Sequence, residues 1–374
     1  VTAPPRRLPP PLPPPSAPVA QSTVVIEAQA ASVASTSLAA QSAAVTYVLA
    51  AGGEDEEAWY NTDSLRAIIR GTATVVDAFS AREARQTDDF IADSIANLTG
   101  KPYRAIGIRK VTGIHLQLGV RKGATTADVI SRAADRYRYQ QSLLDKQFVA
   151  DVKAGASTPT ELAAPLDVAL DRVKRATQMN LALASRNQAV ATMADAADRE
   201  LIIGYRRVLH AELSKTGDCG LCVADSTRIY HSSHLMALHP GCHCIPVPVS
   251  ATHDPGAIIN DRDLGRFYAD AGGTSAQKLR ETRYKVDEHG EIGPVLRPFG
   301  DPIRTHEQAK ADTSRRRPKT AEQRIRTLRN RRDALASAYQ QASAGQTDPA
   351  WRDRLDGVAA RIARLDAEIV KQGG

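Results

Sequence analysis

Apolar and charged residues alternate at helical spacing from Glu54 to about Asn97. Within that stretch Leu65, Ile68, Ile69, Val75, Val76 and Phe79 line one broad stripe, the pattern of a helix with one buried face. Gly100-Lys101-Pro102 ends the block, because proline disfavours helical backbone in the residue before it. Thr125-Thr126-Ala127-Asp128 predicts the start of a helix over 126–153. Ser157-Thr158-Pro159-Thr160-Glu161 predicts a second start, with proline near the first turn and helical patterning on to about Leu201. Before this block, from Gln21 to about Ala51, the chain is Ala, Ser and Val with few charges. Residues 21–200 are expected to form one helical domain.

The pattern changes at Leu201. Ile202 to His210 is rich in branched and aromatic residues and predicts a strand. Ile245-Pro246-Val247-Pro248-Val249 is extended, with prolines that confine it to a sheet edge. Residues 283–296 predict a hairpin turning around His289-Gly290, so 201–300 is expected to be a small α+β module. A polar linker at 301–318 follows. Ile325, Leu328, Leu335 and Tyr339, then Leu355, Val358, Ile362, Leu365 and Ile369, repeat at heptad spacing. Asp348-Pro349 supplies an N-cap and first-turn proline between them, so 319–372 reads as an antiparallel helical hairpin. The fold class expected is mainly α, with a helical N-terminal domain, a small α+β module and a C-terminal hairpin.

Composition sharpens this picture. A chain of 374 residues is long enough for two or three domains. Aromatics at 5% with abundant alanine favour helices packed through small side chains. Residues 1–20 are so rich in proline that a polyproline II tail is expected, either a tether or a segment that docks in a partner's groove. No uninterrupted apolar run approaches the roughly 20 residues that cross a bilayer, and the start lacks a signal-peptide pattern, so no membrane partner is expected. The first residue is Val. A net charge of +7 is compatible with a polyanionic neighbour without requiring one.

All four cysteines fall in one window, Cys219-Gly-Leu-Cys222 and Cys242-His-Cys244. Zinc takes four soft or borderline ligands in a tetrahedron, and a C-x2-C turn offers two thiolates to one ion. The second pair is Cys242 with Cys244, or His239 with Cys242, leaving His239 as the alternative ligand. Two disulfides, or four packed thiols, are the plainer alternative, and a reducing cytosol disfavours the disulfides. Redox catalysis by the C-x2-C needs a thioredoxin-like βαβ frame that the flanking pattern lacks. A catalytic zinc needs an open coordination position, whereas four protein ligands close the site. A structural zinc knuckle is therefore the expectation.

The stretch 315–332 is rich in arginine, and Arg315, Arg316, Arg317, Arg324 and Arg329 are the residues expected to lie along nucleic-acid phosphates if the chain binds DNA. Glu322, Asp333 and Asp353 nearby fit equally a solvated helix face. No Ser-His-Asp set, phosphate-binding loop or paired-carboxylate pattern stands out, so no catalytic residues are assigned and no enzyme is expected.

Residues 205–249 resemble the MuF-type minor head protein domain of tailed phages, particularly those of actinobacterial hosts. The resemblance is carried by Arg206-Arg207-Val208, Cys219-Gly-Leu-Cys222, Ile229-Tyr230 and His239-Pro-Gly-Cys242-His-Cys244 with Pro246. Glu288 to Leu296 resembles a further stretch of that group. His243 stands where an arginine is common, and Ala237 where the family often has proline. The resemblance implies a virion protein made in the host cytoplasm and held in few copies inside the head near the portal. It implies portal or major capsid protein as partner, packaged double-stranded DNA as a neighbour, and a role in assembly, packaging or ejection. Some relatives are labelled capsid maturation proteases, but no protease machinery accompanies that label here. The C-terminal hairpin is expected to serve partner binding or self-association.

Overall fold

The computed structural model describes residues 17–108, 121, 123–210, 213, 220–232, 236, 243–270, 284–289, 293–298, 320–345 and 348–373, apart from the side chains of 17–22, 220, 221, 224, 263–270, 284–298 and 345. It is mainly helical with a small three-stranded antiparallel sheet. In chain order the elements are α1 (Ala17–Val48), α2 (Thr62–Thr99), α3 (Thr126–Ala154), α4 (Pro165–Asp198), β1 (Gly204–Val208), α5 (Gly220–Asp225), β2 (Ile229–Tyr230), β3 (Ile245–Val249), α6 (Pro255–Asp270), β4 (Tyr284–His289), β5 (Gly293–Pro298), α7 (Ala321–Gly345) and α8 (Pro349–Lys371).

Local chemistry explains most of the helix boundaries. Thr125 and Asp128 form a reciprocal capping box at the start of α3, and Gly155 ends it in the left-handed conformation at φ 64°. The stretch expected to be helical from Glu54 instead begins its long helix at Thr62. Gly52 turns the chain at φ 91°, a short 3-10 turn follows over Glu56–Trp59, and the Asn61 side chain then caps α2 by accepting from Asp63 N and Ser64 N. Similarly, α4 starts at Pro165 and not near Pro159. Asp151 accepts hydrogen bonds from Thr160 N at 2.8 Å and Thr160 Oγ1 at 2.9 Å, tying that segment to the end of α3. The Ala/Ser/Val segment 21–51 is largely the helix α1, and Ile26, Ala30, Ala40, Ala44 and Val48 are its buried stripe. Although Ser, Thr and Gln interrupt every apolar run in it, Thr23–Gly53 is long and apolar enough on average to cross a bilayer by length and composition alone, a test that core helices also pass.

The chain divides into two compact units, one from Val1–Ala40, Val76–Gly123 and Thr177–Ile303, the other from Gln41–Val75, Ala124–Ala176 and Arg304–Gly374. These units cut across the chain-order segments, because α1, α2 and α4 each contribute to both. In the first unit, Ile91 and Ile95 of α2 and Leu183 and Met193 of α4 share a core with Tyr205, Val208, Val247 and Ile259. The sheet order is β2-β1-β3, both pairings antiparallel, so proline-bearing β3 lies at an edge as its composition requires. The β4–β5 hairpin pairs His289 with Gly293.

In the second unit α7 and α8 form the antiparallel hairpin, with Asp348 accepting from Ala350 N at 2.8 Å and Pro349 in the first turn. Its apolar seam is buried within this chain. Leu335, Ala338, Ala342, Trp351 and Val358 close around Phe148 of α3, with Tyr339, Leu355, Ile362 and Leu365 packed against them. Trp351 meets Phe148 edge to face at 5.9 Å, and its Nε1 donates to Ser157 O at 3.0 Å.

Candidate metal centre

The three-stranded sheet holds several described residues of the stretch 205–249. Arg206, Arg207 and Val208 lie on β1, the centre strand; Ile229 and Tyr230 are the whole of β2; Pro246 lies on β3 directly opposite Arg207. Gly204 permits the approach of β2, since a Cβ there would sit 2.3 Å from the carbonyl oxygen of Tyr230. Tyr205 and Tyr230, cross-strand partners, stack at 5.1 Å with their planes 12° apart.

The two β1 arginines are held in different ways. Arg206 makes a forked pair with Asp254, Nε to Oδ2 at 2.8 Å and Nη2 to Oδ2 at 2.6 Å, and its Nη1 donates to Ser226 O at 3.0 Å. Asp254 also accepts from Ala257 N at 2.9 Å, so one carboxylate both caps α6 and fixes β1. Arg207 is fully buried. Its Nη1 donates to Cys222 Sγ at 3.3 Å and its Nη2 lies 3.4 Å from Asp225 Oδ2, itself 1% exposed. Tyr230 donates its hydroxyl to the same Asp225 oxygen. Burial raises the Tyr230 phenol above its ordinary range, and Asp225 reinforces that shift against the pull of Arg207. Asn260 of α6 braces the end of β1, donating to Arg207 O at 2.9 Å and accepting from Leu209 N at 3.2 Å.

Of the expected metal ligands, Cys222 and Cys244 are described, and no disulfide joins them to one another. Cys222 is buried on α5 against Arg207. Cys244 is half-buried and immediately precedes Ile245, whose β-partner is Val208. Cys244 and His243 also line a cavity of about 40 Å³ with Arg186 and Met236. Cys219, Cys242 and the alternative ligand His239 lie outside the described residues. Among the described residues alone no three His, Cys, Asp or Glu side chains come together as a metal-binding group. Cys222 by itself fits a zinc thiolate in its chemistry: a buried sulfur with an N–H donor directed at it.

Arg315, Arg316 and Arg317 also lie outside the described residues, whereas Arg324 and Arg329 are exposed on α7. Residue types and spacing pointed to the cysteines but not to Asp225 or Asn260 as braces of the same module. Asp254-Pro255 carries a helix-start signal of the N-cap and first-turn proline kind, which the elements expected from the sequence do not include. Its pairing with Arg206, 48 residues away, has no local signal.

No family model, no curated protein and no solved structure matches this chain. Fold and site together define a mainly helical protein carrying a small, polar-braced antiparallel sheet with the buried Cys222 sulfur against an arginine of its centre strand.

Proposed function

We propose that the chain is a structural minor head protein of a tailed phage, of the MuF type, with a zinc knuckle that stiffens a small module. It acts inside the head near the portal, bound to portal or major capsid protein, and assists assembly, DNA packaging or ejection without catalysing a reaction. One observation carries this reading: the described residues of the MuF-like segment, scattered over 41 positions from Arg206 to Pro246, adjoin one another on β1, α5, β2 and β3. In this reading Cys219, Cys222, Cys242 and Cys244 hold the ion, with His239 as the alternative fourth ligand, and the metal contributes folding energy to a module whose sheet has only three short strands. The test is mass spectrometry of purified heads from the phage that encodes the chain, with zinc measured on the isolated protein. A few copies per head and one zinc per chain are expected; heads that lack the chain would overturn the placement, and a metal-free folded protein would overturn the knuckle.

A second reading, contact with packaged DNA, is favoured by one feature of α7. Arg331 and Arg332 are engaged by Asp145, Asp333 and Asp366, while Arg326 and Arg329 stand exposed on the same helix. If these two arginines meet phosphates, Arg326→Gln with Arg329→Gln lowers DNA affinity and flattens its dependence on salt by about two charges. An unchanged salt slope would remove this reading.

A further inference from the structure

We propose that Arg207 is the positioning partner of the Cys222 sulfur, an inference that rests on the metal-knuckle reading. A zinc-bound thiolate carries negative charge, and burying it is costly unless N–H donors face the sulfur. Arg207 supplies such a donor from the strand at the centre of the sheet, its charge matched by Asp225. Its side chain is fully buried, and a guanidinium remains charged even there. Two different nitrogens serve two acceptors: Nη1 reaches Cys222 Sγ at 3.3 Å and Nη2 reaches Asp225 Oδ2 at 3.4 Å. Asp225 lies three residues after Cys222 and closes α5, so the planar fork spans one turn of that helix and sets where the sulfur points.

The backbone of Arg207 is equally constrained. It pairs with Pro246 of β3, two residues beyond Cys244, and its carbonyl accepts from Asn260 Nδ2 at 2.9 Å. Arg207 thus ties Cys222 on α5 to the β3 strand that Cys244 precedes. Lysine would keep the charge but, as a single point donor, would not serve sulfur and carboxylate with separate, fixed N–H groups.

The experiment compares the full chain with Arg207→Lys and, as a control, Arg228→Gln. Arg228 also lies near Asp225, with Nε 4.0 Å from Oδ1, but its side chain is 64% exposed. Zinc affinity is read by chelator competition, the sulfur-to-metal charge-transfer band by cobalt(II) substitution, and the fold by circular dichroism. Arg207→Lys is expected to weaken zinc on the order of 10- to 100-fold and to move the cobalt charge-transfer band to lower energy, with Arg228→Gln unchanged. A folded Arg207→Lys protein with wild-type affinity and an unmoved band overturns the inference while leaving the knuckle intact. A wild-type chain that binds neither zinc nor cobalt overturns the knuckle itself and the inference with it. Should Arg207→Lys fail to fold, the wild-type chain loaded with cadmium-113 decides: spin coupling between the metal and an Arg207 Nη proton, carried through the N–H···S contact, is expected, and its absence overturns the inference.

Discussion

Asp145 of α3 receives Arg361 of α8 at 2.7 Å, Nε to Oδ1, with the two side chains 4% and 11% exposed. Arg331 of α7 donates from Nε to the other carboxylate oxygen at 2.7 Å. One buried carboxylate therefore joins both arms of the C-terminal hairpin to α3, beside the apolar seam around Phe148 and Trp351. Removing it leaves two guanidinium groups without that counter-charge, and breaking a buried pair on one side is strongly destabilising. Asp145→Asn is expected to cost about 3 kcal/mol, and amide hydrogen exchange in α7 and α8 should accelerate more than exchange in β1 and β3. Equal acceleration in both places would show that Asp145 does not act locally.

Trp351 is fully buried, contacts Phe148 and donates to Ser157 O. Trp351→Ala is expected to lose about 3–5 kcal/mol through the cavity it opens. Trp351→Phe keeps most of the apolar volume but strips the Ser157 carbonyl of its donor, and should cost about 1–3 kcal/mol. Denaturant titration of the two variants separates packing from hydrogen bonding.

Glu83 sits on α2 at 1% exposure, and burial, opposed by Arg82 and Thr87, pushes its carboxyl up to about 7 from the ordinary 4.5. A folded-state value above the unfolded one means the folded chain binds this proton more tightly. The stabilising contribution is complete below pH 4.5 and is lost as pH rises to about 7, a change of roughly 3 kcal/mol. Glu83→Gln should flatten the stability profile over that window, measured by denaturant unfolding at a series of pH values. A Gln variant with an unaltered pH slope would refute the assignment.

Gly204 begins β1 beneath the carbonyl of Tyr230, where a Cβ would come within 2.3 Å of that oxygen. The obstacle is backbone and cannot swing away as a side chain can. Gly204→Ala is expected to push β2 off β1, break the Tyr205–Tyr230 stack and reduce the near-ultraviolet circular dichroism signal of the tyrosines, with a loss of about 1–3 kcal/mol.

The amino-acid sequence by itself determined the elements whose signals are local. The Thr125–Asp128 capping box, the Asp348-Pro349 start of α8, the proline-marked edge strand at 245–249 and the hairpin around His289-Gly290 each depend on residues within a few positions of one another. Heptad spacing likewise marked the helices of the hairpin, because a period of 3.5 is a property of one helix. What covers their apolar seam is not: Phe148 lies just over two hundred residues before Trp351, and only packing in three dimensions shows that α3 of the same chain fills it. Tertiary contacts also moved the start of α4, since Asp151 captures Thr160 and leaves Pro165 to open the helix. The cysteine pairs were legible because the C-x2-C and C-x-C spacings are local. Their buried neighbours Arg207, Asp225 and Asn260 were set by the tertiary structure, because a charge removed from water must be met by whatever the fold brings within hydrogen-bond reach, however distant in sequence.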